Sequence, residues 1–173
     1  EGDVVLPTGS IVSDTGELTW EDTPGDGRVL IDTPRHQGVI MRAGERTTSH
    51  MTVTLHTRFA AIQLASLDDA PIASAERLLL VAVARVANTG MRWNEDRSSV
   101  HGQVGSAPTC IEPVQAMITL TGLVGARKVF LQALDGRGQP LGKPRRAVRD
   151  GSGFTLRLTG KTATTWYTVT VER

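Results

Sequence analysis

Apolar and polar residues alternate along several short segments of the chain. Residues 51–56, 154–159 and 166–171 show the pattern most clearly. A period of two places successive side chains on opposite faces of a β-strand, so each segment is predicted to bury one face and expose the other. In the last segment, this places Tyr167 in the interior and Trp166 in solvent.

Further strands are predicted where β-branched residues lie between turn residues, and the chain holds 21 Thr and 17 Val. These segments are 17–20, 28–32, 38–41, 59–65, 114–121 and 128–134. Turn sequences at 24–27, 135–138 and 150–153 contain the glycines that tight connections need. The sequence therefore predicts an all-β fold of about nine or ten strands, arranged as a β-sandwich or jelly roll of two antiparallel sheets.

One apolar segment fits either a helix or a strand. Residues 74–87 begin with Ser74, which can cap a helix, and contain the helix-favouring residues Ala and Leu. The segment lacks a polar stripe, however, and its valines favour extended structure. We therefore expect residues 77–86 to form a central strand that is buried on both faces.

The length of the chain fits a single domain. No repeat or long linker divides the 173 residues, and residues 1–12 are expected to be a linker remnant or an edge strand. Since the sequence starts at Glu1 without an initiator methionine or a signal peptide, we expect it to be part of a larger protein. It contains no run of 18 apolar residues, so no membrane-spanning helix is expected.

Charge is unevenly distributed, although the formal net charge is only +1. Residues 127–173 carry ten Lys and Arg against three Asp and Glu, a balance of +7, and residues 1–126 carry −6. The basic residues cluster at 143–149, which we interpret as a solvated loop, with phosphate or an acidic polysaccharide as the alternative partner. Aromatic residues make up only 4% of the chain and none lies within this cluster, so no nucleic-acid partner is expected.

The sequence contains no persuasive catalytic constellation. Asp14-Thr15-Gly16 has the sequence of the aspartic protease loop, in which two carboxylates share a proton. The second Asp-Thr pair begins at Asp32, only 18 residues later, and proline replaces its glycine. A protease would therefore need a homodimer that uses one Asp14 from each chain. A turn before the next strand is the preferred interpretation, and the chain is not expected to be an enzyme.

Metal binding receives little support from the residue pattern. The single cysteine, Cys110, argues against a disulfide framework and a multi-cysteine zinc site. A structural calcium ion is the alternative to solvated turn acids, because hard cations prefer carboxylate and carbonyl oxygens. The acidic residues considered for such a site are Glu21, Asp22 and Asp26, or Asp68 and Asp69.

Exposed tryptophans are the strongest candidates for ligand binding, since aromatic rings offer flat apolar surfaces on which sugars stack. Trp166 is predicted on a solvent-facing strand surface, and Trp93 in a polar loop after the strand at 77–86. The polar neighbours of Trp93 that are predicted to hydrogen-bond the ligand are Arg92, Asn94, Glu95 and Asp96. The alternative is that neighbouring segments cover both rings. Trp20 shares a face with Leu18 and is predicted to lie in the core.

Several short motifs resemble one known group of domains. The motifs are SDTGEL at 13–18, IDTPR-x-QG at 31–38, SLD at 66–68, S-x-x-RLL at 74–79, NTGM at 88–91 and WY at 166–167. Together they resemble the β-sandwich domain at the C-terminal end of large bacterial glycoside hydrolases, over about residues 13–171. Such domains accompany a catalytic barrel, and they either bind carbohydrate or brace the barrel.

The resemblance implies a non-catalytic accessory domain of a secreted bacterial enzyme. We therefore expect a carbohydrate-binding module that targets an attached glycoside hydrolase to plant cell-wall polysaccharide, with a chain of the β-glucan type as ligand. The alternative is a structural domain that packs on the catalytic barrel without glycan affinity. This alternative predicts an exposed apolar patch on the isolated domain.

Overall fold

The computed structural model describes residues 9–22, 26–151 and 153–173, and these residues form fourteen β-strands and no helix. None of the described segments therefore has the length and apolarity of a membrane-crossing helix. The strands are β1 (Gly9–Val12), β2 (Leu18–Asp22), β3 (Arg28–Asp32), β4 (His36–Thr47), β5 (Met51–Ser66), β6 (Arg77–Val83), β7 (Val86–Thr89), β8 (Ser106–Ile111), β9 (Gln115–Leu120), β10 (Lys128–Leu134), β11 (Arg145–Arg146), β12 (Val148–Asp150), β13 (Gly153–Thr159) and β14 (Trp166–Glu172).

Hydrogen bonding links twelve of these strands into one branched antiparallel sheet. The main path runs β1-β2-β3-β4-β5-β6-β14-β10-β11, and a branch of β9, β13 and β12 leaves it at β5. The other two strands, β7 and β8, pair only with each other. The all-β antiparallel class is confirmed. The predicted count of nine or ten strands is wrong, because five short strands, β1, β7, β8, β11 and β12, have no buried residue and therefore show no clear alternation of apolar and polar positions.

The branch depends on a change of side-chain phase within β5. Leu55 is buried in the first half of the strand and Ile62 in the second, so the buried positions shift from odd to even numbers. The change occurs at Arg58 and Phe59, which are consecutive and both exposed. The first half of β5 pairs with β9 and the second half with β6. One continuous strand thus serves both branches, where the sequence predicted two.

The predicted inward alternations are confirmed. Phe154, Leu156 and Leu158 of β13 are buried, as are Val169 and Tyr167 of β14. These side chains from both branches belong to one apolar core. The alternation of polar and apolar residues therefore identified the buried face of these strands correctly.

The ambiguous apolar segment forms a strand rather than a helix, as predicted, but the strand ends at Val83 instead of residue 86. Leu78, Leu80 and Ala82 are at most 1% exposed. The intervening side chains are only partly buried, so the second face of β6 is less covered than expected.

The Asp-Thr-Gly motif forms the turn between β1 and β2. The Gly16 N–H donates to the Ser13 carbonyl at 2.8 Å, and Gly16 has a φ of 74° that favours glycine. Asp14 is exposed in this turn. Residues 9–12 of the predicted linker remnant or edge strand form β1 at one end of the sheet path. Residues 1–8 of that segment, and residues 24–25 and Ser152 of the predicted turns, lie outside the described residues.

Candidate functional site

Residues 85–112 form an arm that leaves the main sheet between β6 and β9. Within it, β7 and β8 pair with each other and enclose the loop 90–105. At the base of the arm, the Glu112 N–H donates to the Arg85 carbonyl at 2.8 Å. The Arg85 guanidinium also donates to both carboxylate oxygens of Glu112, at 2.7 and 3.3 Å. Every residue at 101–110 is exposed, so the arm projects away from the core.

The ion pair at the base of the arm shifts the pKa of both partners. Hydrogen bonding from Arg85 holds the pKa of the Glu112 carboxyl below its ordinary value, although partial desolvation opposes the shift. The same hydrogen bond raises the pKa of the Arg85 guanidinium. Both groups therefore stay charged at neutral pH and fasten the two ends of the arm together.

A cleft of about 460 Å³ runs along the arm and adjoins a smaller cavity of about 210 Å³. The larger part has mainly apolar walls, with Arg85, Arg97 and Glu112 as charged residues. The same three residues also line the smaller part, so the two cavities form one site, which we call the arm cleft. The remaining lining residues are Val86, Ala87, Trp93, Cys110 and Ile111 in the larger part, and Arg58 and Phe59 in the smaller part.

Each part of the arm cleft presents one exposed aromatic side chain. Trp93 is 43% exposed and Phe59 is 46% exposed. The Arg97 guanidinium carbon lies 5.7 Å from the centroid of the Trp93 ring, within the range of a cation–π interaction. A concave site with apolar rings and a few charged groups is suited to a ligand that has both apolar faces and polar substituents.

Local hydrogen bonds hold the loop that carries Trp93. The side-chain Oδ1 of Asn94 accepts the Ser99 N–H at 3.0 Å, and the side-chain Nδ2 of Asn94 donates to the Ser98 hydroxyl at 3.0 Å. The Ser98 hydroxyl donates to the Asp96 carboxylate at 2.8 Å, which lowers the pKa of Asp96. Asn94 and Asp96, both predicted as ligand-binding residues, thus shape the loop and do not line the arm cleft.

Arg97 has an unusual backbone conformation. Its φ is 58°, in the left-handed region that costs a residue with a Cβ about 1–2 kcal/mol. The Arg97 N–H donates to the Asn94 carbonyl at 3.0 Å, so the tight turn of the loop maintains this conformation. Strained residues concentrate at functional sites. Here the strain accompanies the placement of a guanidinium over Trp93.

The other predicted site residues lie elsewhere. Arg92 and Glu95 are exposed but line neither part of the arm cleft. Trp166 pairs in register with Val81 of β6 and lines neither part of the arm cleft. The structure therefore brings Trp93 into a cleft and leaves Trp166 outside it.

Trp166 belongs to a largely apolar sheet surface, which we call the outer sheet face. Residues that pair directly across antiparallel strands point to the same side. One such row crosses β1–β6 and the next crosses β2–β6 and β14, and their apolar side chains are Ile11, Leu18, Trp20, Val29, Ile31, Ile40, Ala61, Val81, Val83 and Trp166. All of them are exposed or only partly buried.

The position of Trp20 on the outer sheet face corrects one prediction. Trp20 and Leu18 do share a face, but they are 39% and 48% exposed, so the prediction that Trp20 lies in the core is wrong. Alternation identifies the residues that share a face, whereas burial depends on what covers that face. The predicted exposure of Trp166 is confirmed, at 43%, with Tyr167 pointing inward at 4%.

The basic cluster forms a second cationic surface. Arg145 and Arg146 make up β11 and, together with Arg157, they line a cavity of about 170 Å³. The Arg149 guanidinium lies 5.5 Å from the centroid of the Phe154 ring. The four arginines are exposed. The prediction of a loop at 143–149 is wrong, because residues 145–146 and 148–150 pair as the short strands β11 and β12. An anionic partner for this surface stays a prediction.

Four of the five acidic residues considered for calcium, Glu21, Asp26, Asp68 and Asp69, make other contacts. Glu21 and Asp26 form ion pairs with Arg28, and the Asp68 carboxylate accepts two backbone N–H groups at 2.7 and 2.8 Å. Within the described ranges, no group of three or more His, Cys, Asp or Glu side chains is arranged to hold a metal ion.

The comparisons with known proteins did not assign a family or a function to this chain. No protein-family model, curated protein or solved structure matches this chain. Its function is therefore inferred from the geometry and charge of the arm cleft and the outer sheet face, together with the motif resemblance.

Proposed function

We propose that this domain is a non-catalytic carbohydrate-binding module and that the arm cleft binds the glycan. The observation that carries the proposal is the presence of two exposed rings, Trp93 and Phe59, beside charged hydrogen-bonding groups in one concave site. Sugar rings combine apolar C–H faces with polar substituents. Aromatic rings stack on the former, while the guanidinium and carboxylate groups bond the latter.

The motif resemblance supports the same assignment. We infer that the two branches of the main sheet pack face to face as a β-sandwich, because Leu131 of one branch and Leu156 of the other lie in one core. In this proposal the domain is part of a secreted bacterial glycoside hydrolase. It holds the catalytic domain on plant cell-wall polysaccharide, and a β-glucan remains one of the chains to be tested.

Affinity electrophoresis against soluble polysaccharides, followed by calorimetry, tests the proposal. Trp93→Ala and Phe59→Ala should each weaken binding by about 5-fold to 150-fold, since stacking on one aromatic ring contributes about 1–3 kcal/mol in the comparable case of nucleic-acid bases. Trp166→Ala is the matched control, because this ring is equally exposed but lies outside the cleft. Loss of binding in Trp166→Ala alone would move the site to the outer sheet face.

The outer sheet face favours a second function, namely packing against the parent catalytic domain. A surface of ten partly exposed apolar side chains matches the patch that a packing domain requires. In the full-length enzyme, Leu18→Ser with Trp20→Ser should lower the melting temperature of the catalytic domain. The same substitutions should change the melting temperature of the isolated domain little. An unchanged melting temperature of the catalytic domain would argue against this function.

A further inference from the structure

We propose that the arm cleft selects acidic glycans, whose sugar rings carry a carboxylate or sulfate group. This inference rests on the proposed glycan-binding function and specifies the ligand class. The charged groups that line the cleft are Arg58, Arg85, Arg97 and Glu112, with a formal charge of +2. An anionic substituent on the ligand would therefore enter a positively charged site.

Arg58 and Arg97 are the two cations that are available to a ligand. In the part of the chain that the structure describes, six ion pairs form, and neither residue takes part in any of them. Arg85, in contrast, already binds Glu112 through two hydrogen bonds. A ligand anion can thus bind Arg58 and Arg97 without displacing a described carboxylate of the protein.

The geometry places one of these guanidinium groups near each exposed ring. Arg97 lies over Trp93, and Arg58 directly precedes Phe59 at the phase change of β5, where both side chains are exposed and line the same cavity. A sugar that stacks on either ring presents its ring substituents at the edge of the stack. The planar guanidinium fork matches the two oxygens of a carboxylate or sulfate and is weakly hydrated.

Two acidic residues lie close to Arg97 in the sequence, but they do not neutralise the positive charge of the surface that would contact the ligand. Glu95 and Asp96 belong to the same loop as Arg97, yet neither lines the cleft. The Asp96 carboxylate accepts hydrogen bonds from Ser98, and Glu95 is exposed. Solvent and salt screen such exposed charges, whereas groups in direct contact with the ligand are screened less.

The test compares acidic and neutral glycans with matched backbones by calorimetry in a buffer of near-physiological salt. Polygalacturonate supplies carboxylates and a sulfated galactan supplies sulfates. Fully methyl-esterified homogalacturonan and unsulfated galactan are the neutral counterparts. We expect at least one acidic chain to bind about 10-fold more tightly than its counterpart, the effect of one charge-assisted hydrogen bond. The acidic chain that is preferred over its neutral counterpart shows whether the cleft recognises a carboxylate or a sulfate group.

Substitutions then locate the preference. Arg58→Gln with Arg97→Gln should abolish it and bring the affinities for the acidic and the neutral chain to within about 3-fold of each other, because both charges are removed while both rings remain. Arg145→Gln with Arg146→Gln is the matched control, since it removes two exposed arginines from a different surface. Circular dichroism and the melting temperature confirm that each variant is folded.

The outcomes separate this inference from the proposed function. If the domain binds neutral and acidic chains equally and Trp93→Ala abolishes this binding, the proposed selectivity is wrong but the proposed glycan-binding function is retained. A preference that disappears only in the Arg145 and Arg146 variant would overturn the inference and assign acidic chains to the basic cluster. No binding to any glycan would refute both the inference and the proposed function.

Discussion

Replacing Gly105 with alanine tests whether close packing of the backbone at this residue keeps the arm closed and Trp93 in place. Gly105 has a φ of +69°, and a Cβ there would lie 2.4 Å from the Thr89 carbonyl oxygen and 2.6 Å from the Met91 nitrogen. Gly102, in the same loop, has a similar φ of +75°, but a Cβ there meets nothing within 4 Å. The two substitutions therefore separate the cost of a left-handed φ from the cost of a steric clash.

The expected magnitudes follow from these distances. A left-handed φ costs alanine about 1–2 kcal/mol in either variant. In Gly105→Ala, the 2.4 Å contact must also open to at least 3.0 Å, and the contacting atoms are backbone atoms that cannot rotate away. A two-stranded hairpin is only marginally stable by itself. We therefore expect Gly105→Ala to open the arm locally, whereas Gly102→Ala leaves it closed.

Hydrogen exchange measured by mass spectrometry provides the assay. In Gly105→Ala, amides of residues 86–111 should exchange faster than in Gly102→Ala, while β5 and β6 keep their protection because they belong to the core. Glycan affinity should fall only in Gly105→Ala, since Trp93 and Arg97 lie in the displaced loop. Equal exchange rates in the arms of both variants would refute the reasoning.

Three further predictions concern the Arg85–Glu112 ion pair, the buried core residue Leu80 and the buried phenol of Tyr167. Since Arg85 lowers the pKa of Glu112, the pair stabilises the fold above the ordinary pKa of 4.5 and loses this effect as pH falls through the lowered value. The melting temperature of Glu112→Gln should thus be below that of the wild type at pH 7 and equal to it in strong acid, and a difference that persists in acid would contradict this. In urea titrations, Leu80→Ala should lower the free energy of unfolding by about 2–5 kcal/mol, because Leu80 is buried in the core. Leu18→Ala should lower it by less than about 1 kcal/mol, because Leu18 is exposed, and equal losses in the two variants would contradict the assigned burial. Burial raises the pKa of Tyr167, the single tyrosine, above its ordinary value of 10.0. The neutral phenol therefore stabilises the fold below pH 10.0, and this stabilisation is lost as pH rises through the raised pKa. Ultraviolet titration of the folded protein that detects tyrosinate at the ordinary pKa would disprove this.

The candidate site could be predicted only in part from the sequence. Trp93 stood out as an aromatic residue in a polar loop, and the structure places it in the arm cleft. Arg97 was missed although it follows the predicted residues directly, because no sequence pattern shows that its side chain turns back over the indole. Arg85 and Glu112 lie 27 residues apart, so their pairing is invisible until β7 and β8 are formed.

Local sequence patterns are sufficient to establish the extended conformation of the strands and the grouping of their side chains into faces. Alternation correctly separated Tyr167 from Trp166, and valine-rich composition correctly favoured a strand at β6. These properties are local, since the geometry of an extended chain sends successive side chains to opposite sides.

Which faces are covered, and which segments combine, depends on the tertiary structure. Trp20 lies on the outer sheet face, and the phase change at Arg58 and Phe59 merges two expected strands into β5. The arm between β6 and β9 likewise arises from pairing within residues 86–111. Burial and long-range pairing depend on which surfaces meet after folding, and the period of a single strand carries no information about its distant neighbour.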